Sequence, residues 1–239
     1  MALVTGASGA IGTTMAWRLA QAGAAVGVAY GSDSASAQGL VRRIEAAGGR
    51  AVALGADLRD PTAPEELIDR TETELGRIDL LLANAGIARP LGIDDVDARE
   101  FDELIAVNLR APFLMARRVL PGMRERGYGR LLFTSSVAAF TGGLVGPHYA
   151  ASKAGLHAVV HYLAARVAGD GVTVNAIAPA LIRDTGDLSK LGTPSELAAK
   201  VPVGRLGTPA EVADLALAML RNAYLTNQVV LLDGGLHPR

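Results

Sequence analysis

A short apolar run, Leu3-Val4-Thr5, passes directly into Gly6-Ala7-Ser8-Gly9-Ala10-Ile11-Gly12, and a helix-like stretch around Met15 to Ala22 follows. A strand, a glycine-rich turn and a helix in that order let backbone N–H groups approach a pyrophosphate at the helix N-terminus. Glycine turns are common, so the motif alone is weak. Its place at the first strand-to-helix turn is what gives it weight. The rest of the chain keeps the rhythm. Strands are expected near 2–5, 25–30, 51–55, 79–83, 130–134, 172–177 and 228–232. Helices are expected near 11–22, 34–47, 64–75, 98–125, 148–168 and 209–221. Such alternation predicts an α/β fold, a parallel sheet with helices on both faces. The segments at 79–83 and 130–134 are apolar nearly throughout, as buried parallel strands are.

Local signals mark the helix starts. Asp97-Ala-Arg-Glu100 and Thr208-Pro-Ala-Glu211 read as capping boxes, and Thr193-Pro-Ser-Glu196 repeats the signature for a short helix. Pro112 falls inside 98–125 and is expected to bend or break that helix. With 239 residues, half of them hydrophobic, the chain suits one large domain, 1–239, with a substantial core. No repeat, linker or low-complexity tract divides it. A net charge of −1 offers no footprint for nucleic acid. There is no cysteine, which rules out disulfide and thiolate chemistry. The first basic residue is Arg18, so no charged n-region precedes an apolar signal core. No apolar run approaches the ~18 residues of a membrane span. A soluble cytoplasmic protein is expected. The first strand starts at residue 2, and a short natural leader ahead of it is also an expectation.

The chemistry is concentrated in three residues. Tyr149 and Lys153 stand four apart in Tyr-Ala-Ala-Ser-Lys, and Ser136 lies thirteen residues upstream of the tyrosine. On a helix, i and i+4 share a face. A phenol of pKa about 10 is a poor acid or base near neutrality, and a neighbouring ammonium is expected to lower that value. The serine hydroxyl can hydrogen-bond a substrate oxygen. His157 and His161 are also i, i+4, but Ala-Val-Val between them lacks the glutamate of a zinc protease. They read as a surface or interface pair, and no metal site is expected. His148 either lines the pocket or starts the helix facing solvent.

Together these residues resemble the short-chain dehydrogenase/reductase family in its compact single-domain form, over essentially the whole chain. Gly6, Ser8, Gly9, Ala10, Ile11 and Gly12 match its cofactor loop. Asp57-Leu58 is similar to its adenine-contacting pair, and Asn84-Ala85-Gly86 to the segment behind its central strand. Asn108 in Val-Asn-Leu matches its catalytic asparagine, and Ser136, Tyr149 and Lys153 complete the tetrad. The thirteen-residue spacing favours Ser136 over the adjacent Ser135. Asp233-Gly234-Gly235 resembles the turn after the last strand. The resemblance implies a Rossmann-type, doubly wound, seven-stranded sheet and hydride transfer between a ketone or aldehyde and an alcohol. It implies that Pro179, Ala180 and Ile182 border the nicotinamide. It also implies that the Asn108 backbone carbonyl holds a relay water. Three positions depart from the pattern. Ala10 stands for a glycine in the loop, Ala83 for the first asparagine before Asn84, and Ala180 for a glycine after Pro179. The loss at Ala83 is expected to remove a sheet-supporting hydrogen bond.

Cofactor choice turns on the end of the second strand, where NAD users of the family carry an acid. Tyr30 occupies that place, and Ser32 can donate to a 2′-phosphate, although Asp33 lies nearby. NADP(H) is therefore favoured over NAD(H). Ile87, Val137, Phe140, Leu144, Val145, Leu181 and Ile182 are pocket candidates and suggest a small-molecule substrate with an apolar portion. A 3-oxoacyl-[acyl-carrier-protein] or acyl-CoA reductase is the alternative. It is weakened by Gly127 and Asp170, where some members place arginines, and kept open by Arg124, Arg126 and Arg130. A non-catalytic NAD(P)-sensing protein is the alternative of another class, and the complete tetrad argues against it. The family pairs its two long helices and last strand across two-fold axes. Ala158, Val159, Tyr162, Leu163, Ala165 and Val167 spread apolar residues over more of the 148–168 helix than one core stripe requires. A homotetramer is expected. Residues 183–195, bracketed by Gly186 and Gly192, read as a substrate loop that closes on ligand.

Overall fold

A computed structural model describes residues 1–185 and 191–237. Seven strands form one sheet in the order β3-β2-β1-β4-β5-β6-β7, and every neighbouring pair is parallel. The strands are β1 (Ala2–Val4), β2 (Val26–Tyr30), β3 (Ala51–Gly55), β4 (Leu80–Ala83), β5 (Gly129–Thr134), β6 (Val172–Pro179) and β7 (Val229–Leu232). The principal helices are α1 (Ala10–Gln21), α2 (Ser34–Ala46), α3 (Ala63–Leu75), α4 (Ala98–Ile105), α5 (Ala111–Glu125), α7 (Pro147–Val167) and α9 (Pro209–Arg221). Two short ones, α6 (Ala138–Thr141) and α8 (Pro194–Ala199), lie near the carboxyl ends of the strands.

The apolar strands explain the two-faced packing. Side chains alternate across a strand, so Leu81 and Leu82 serve opposite cores. Leu81, Leu131 and Phe133 pack with Leu67, Met115, Leu156 and Val160 from α3, α5 and α7. Leu82 and Leu132 pack with Met15, Leu19, Leu40, Val212 and Met219 from α1, α2 and α9. Phe133 is fully buried, worth about 1.5–3 kcal/mol against exposure. Chain order reverses between β1 and β4. At such a switch the flanking connections leave to opposite faces and open a crevice above the strand ends.

The expected 98–125 helix is three pieces. Residues Ala106–Arg110 form a π turn between α4 and α5, with the Ala111 N–H donating to the Ala106 carbonyl. The break falls just ahead of Pro112. That proline has no N–H to offer the Asn108 carbonyl four residues back, so the α pattern cannot run through. The caps at Thr193 and Thr208 are reciprocal boxes, as their sequences suggest. Asp97 caps α4 in one direction only, accepting from the Glu100 N–H at 2.8 Å. The Glu100 carboxylate is drawn instead to Arg89, 2.8 Å away. β6 runs two residues past its expected end because Ala178 and Pro179 pair with Leu231 and Leu232. The expected substrate loop at 183–195, bracketed by Gly186 and Gly192, includes residues 186–190, which lie outside the described residues.

Candidate active site

The glycine loop is built by collision. Gly6 has φ +63°, and a Cβ there would sit 2.9 Å from the Ala85 Cα. A Cβ on Gly12 would meet the Gly6 carbonyl oxygen at a distance no atoms tolerate. Only glycine lets the turn fold so tightly against β4 and α1. Gly9 is the N-cap of α1 and offers no side chain to the first turn, so its leading N–H groups face a potential anion. The methyl of Ala10 lines the same cavity.

A second set of bonds ties the strand ends beneath this loop. Asn84 donates from Nδ2 to the Thr5 carbonyl at 3.0 Å, and its Oδ1 accepts from the Thr134 hydroxyl at 3.2 Å. Thr5 Oγ1 accepts from the Asn84 and Ala85 N–H groups at 3.0 and 2.9 Å. β1, β4 and β5 are thus stitched together although Ala83 brings no polar group. The support expected to be missing there is supplied by Asn84 and Thr5.

A cavity of about 1190 Å³ opens above these strand ends. It is lined by every cofactor residue expected from the sequence, from Gly6 and Tyr30 through Asp57 and Asn84 to Ile182, and by Ser136, Tyr149 and Lys153. Of the apolar candidates, Ile87, Val137, Leu144, Val145, Leu181 and Ile182 line it. Phe140 does not. Its ring turns away to pack against His157 and His237, with centroids 4.7 and 5.7 Å apart. Arg59, Arg89, Glu103, Thr141, Lys200 and Leu236 also line the cavity and were not anticipated. The first three belong to one charged network: Arg59 holds Asp57, and Arg89 binds Glu103 at 2.7 Å. Neither arginine stands in a recognisable motif, though Leu236 follows Asp-Gly-Gly directly.

Ser135 and Ser136 separate cleanly. Ser135 Oγ bonds the Lys153 carbonyl at 3.1 Å and the His157 ring at 2.8 Å, which anchors α7 to β5. Ser136 Oγ accepts from the Ala138 N–H at 3.1 Å and interacts with the Tyr149 phenol. His157 is therefore a packing residue of this anchor, and His161 bonds Asn227 at 2.6 Å. Among the described residues no His/Cys/Asp/Glu cluster suits a metal.

Asn108 is fully buried in the π turn behind the cavity wall. Its side chain accepts from the Ile87 N–H at 2.8 Å and donates to the Ile87 carbonyl at 2.9 Å and to Ser152 Oγ at 3.1 Å. It clamps the segment after β4 and the start of α7 to the turn, and does not bond its own helix. Gly86 makes room for this clamp, since a Cβ there would approach Lys153 Nζ and Asn108 Oδ1 at 3.1 and 3.2 Å. His148 is fully buried beside Gly146, and both its ring nitrogens lack a protein partner. It neither lines the cavity nor faces solvent.

The electrostatics differ from expectation. Lys153 Nζ donates to the Thr134 carbonyl at 2.8 Å and stands 5.9 Å from the Tyr149 ring centroid. Burial lowers the lysine pKa from 10.5 to about 8. Tyr149 keeps some accessible surface, but protein crowds it densely. That desolvation pushes its pKa above the ordinary value, and Ser136 offsets it only in part. The ammonium does not lower the phenol pKa in this arrangement, because it is turned to a carbonyl and burial dominates. Tyr149 therefore stands as a protonated donor.

The comparisons agree with the geometry. A family model described as Enoyl-(Acyl carrier protein) reductase matches residues 6–237. An L-rhamnose 1-dehydrogenase (NAD(P)(+)) of a Sphingomonas species is 32% identical, covering 98% of this chain and 95% of that protein. An acetoacetyl-CoA reductase of Cupriavidus necator is 33% identical, covering 99% and 98%. Among solved structures, a putative NAD(P)-dependent gluconate 5-dehydrogenase from Beutenbergia cavernae, with bound NADP, superposes with a TM-score of 0.91 at 32% identity. That match covers 98% of this chain and 95% of the other. A parallel sheet in doubly wound order, a glycine loop at its switch point and full-length similarity of this kind have one reading: the chain belongs to the short-chain dehydrogenase/reductase family, NAD(P)-dependent oxidoreductases acting on CH–OH groups.

Proposed function

We propose that the protein reduces a ketone or aldehyde with NADPH, reversibly, using Tyr149 as the proton donor. The carrying observation is the convergence of a protonated Tyr149, Ser136 and Lys153 on one cavity with the glycine loop. The cavity fits a dinucleotide: Gly6 and Gly12 let the loop fold tightly against Ala85 and Asn84, and Gly9, Ala10, Ile11 and Gly12 at the α1 N-terminus line the space above it. Gly6, Ser8, Gly9, Ala10, Ile11 and Gly12 would hold the pyrophosphate, Asp57 and Leu58 the adenine, and Asn84, Ala85, Gly86 and Lys153 the ribose side. Pro179, Ala180 and Ile182 would border the nicotinamide. When bound, NADPH supplies the hydride. Ser136 polarises the substrate oxygen, and Tyr149 delivers a proton to it from Oη. Lys153 is the route by which a proton returns to the phenolate left on Tyr149, with Asn108 keeping the π turn and its backbone carbonyl in place.

NADPH preference rests on the end of β2. Tyr30 and Ser32 line the cavity there. Asp33 is spent as the α2 cap, accepting from the Ser36 N–H at 3.0 Å. Those Ser36 bonds hold its carboxyl below the usual range. The cavity lining at this end, Tyr30, Gly31 and Ser32, carries no carboxylate to take a ribose 2′-hydroxyl. The relative from Beutenbergia cavernae, with its bound NADP, points the same way. Oxidation of NADPH and NADH across ketones, acetoacetyl thioesters and sugars tests the reading. NADPH-dependent turnover of an apolar ketone is expected, and Tyr30→Asp is expected to move preference towards NADH. Turnover with NADH alone in the unaltered enzyme would overturn the cofactor assignment.

An acyl-CoA substrate is the second reading, favoured by the apolar wall and by the Cupriavidus relative. Of the three arginines that keep carrier-protein docking open, two are engaged by backbone carbonyls and one by a surface ion pair. Arg124 pairs with Asp170 at 2.6 Å, Arg126 donates to the Ile78 carbonyl, and Arg130 is buried on the Leu220 and Gly171 carbonyls. None of the three lines the cavity. From the family's pairing of its two long helices and last strand we also propose a homotetramer. Phe101 and Phe113 of α4 and α5 and Tyr162 of α7 are exposed on the helices expected to pair. Light scattering at micromolar concentration is expected to give four chains, and a monomer would refute the assembly.

A further inference from the structure

The chain does not leave the fold when β7 ends. Gly234 and Gly235 take φ +63° and +88°, two successive left-handed residues that reverse its direction. Asp233 locks the reversal: its Oδ1 accepts from the Gly235 N–H at 3.0 Å and its Oδ2 from the His237 N–H at 2.9 Å. Gly234 sits against the turn after α8, where a Cβ would strike Val201 Cγ1 at 2.6 Å and Val203 Cγ2 at 2.8 Å. On the other side the His237 ring packs 5.7 Å from Phe140 of α6. The tail is therefore clamped between α6, which follows Ser136, and the 201–203 turn. Between the clamps Leu236 is half-buried and lines the cavity, whose apolar lining also includes Leu144, Val145, Leu181 and Leu191. Its position explains why a solvent-side tail spends a carboxylate and two glycines on a fixed shape.

We propose that Leu236 is a specificity-determining residue, one that sets the length of the alkyl group accepted on the substrate carbonyl. The proposal rests on the carbonyl-reductase reading above for what occupies the cavity. The clamps act at the α6 and α8 end, whereas the adenine and 2′-phosphate contacts lie at Tyr30, Ser32 and Asp57. The glycine loop and the adenine end, which carry most dinucleotide contacts, lie away from Leu236, so a change there is expected to act on the substrate far more than on dinucleotide affinity. A leucine side chain that meets an alkyl terminus discriminates by single methylenes, each worth about tenfold or more once overlap begins.

The test compares the unaltered enzyme with Leu236→Ala and Leu236→Phe. Two series are measured: kcat/KM for 2-alkanones of increasing length with NADPH, and Kd for n-alkyl carboxamides, titrated by calorimetry into the NADPH-bound enzyme. Leu236→Ala is expected to move the optimum one or two carbons longer. Leu236→Phe is expected to cost the longer members about tenfold or more, and NADPH Kd is expected to stay within about twofold for both. A length dependence that is absent, or identical in all three proteins, overturns the role of Leu236. Amide binding that shifts with the variants while no alkanone is reduced supports Leu236 and overturns the carbonyl reading alone. A parallel loss of NADPH affinity would show a general structural defect and also count against the proposal.

Discussion

Tyr149→Phe is expected to lower kcat by about 10²- to 10⁴-fold, the range of a lost general acid. The substitution removes one oxygen from a side chain whose proton the site retains. Burial holds the phenol above its ordinary pKa, with Ser136 beside it. The ring itself is kept, so α7 and the cavity wall keep their shape. Dinucleotide affinity, which rests on the glycine loop and on Lys153, is expected to be unchanged. An effect confined to kcat identifies an interaction used in the transition state and not in binding. Steady-state kinetics with NADPH and a ketone, beside a fluorescence titration of NADPH alone, measure the two arms. Turnover within about tenfold of the unaltered enzyme would remove Tyr149 from the reaction.

The second large effect is on stability and has the opposite sign to its effect on activity. Lys153 is 4% exposed, and burial lowers its pKa from 10.5 to about 8. At about 1.4 kcal/mol per pKa unit, the charged lysine costs the apo fold on the order of 3 kcal/mol. The unfolded chain keeps its proton up to pH 10.5, while the folded chain loses it near 8. Between those values the unfolded state binds more protons, so the stability of the apo protein rises with pH through that window. Below about 8 the cost is present in full. Lys153→Met keeps the bulk and removes the charge. It is expected to stabilise the apo protein at neutral pH by up to about this amount, less the value of the lost Thr134 bond, about 1 kcal/mol. The gain should fall as pH rises and turn into a loss of up to about 1 kcal/mol, the value of the Thr134 bond, as pH approaches 10.5. The same variant is expected to lose turnover and to bind NADPH more weakly. Urea melts of both proteins from pH 7 to 10 measure the difference. A variant less stable than the parent at pH 7 would show that the Thr134 bond outweighs the burial of the charge.

Much of this is legible in the sequence. The strand–glycine–helix opening and the all-apolar strands at 79–83 and 130–134 dictate a parallel sheet covered on both faces, because period and burial are local properties of a sequence. The spacing of Tyr149 to Lys153 places them on one face of a helix for the same reason, and glycine at 6 and 12 follows from steric limits that a sequence records directly. What tertiary structure decided is everything set by who is nearby. Val-Asn-Leu names no side-chain partner for Asn108, yet it bonds Ile87 and Ser152, 21 and 44 positions away. Asp33 stands near the ribose end in sequence, yet its carboxylate caps α2 and does not line the cavity. Lys153 was expected to lower the phenol pKa, but desolvation depends on the density of surrounding protein, which no spacing encodes. Leu236 became a wall residue only because two left-handed glycines turn the chain back over a surface made by α6 and α8. Residue types and periods state what a segment can do; charge burial and pocket shape arise from contacts between segments far apart in sequence, and those exist only once the chain has folded.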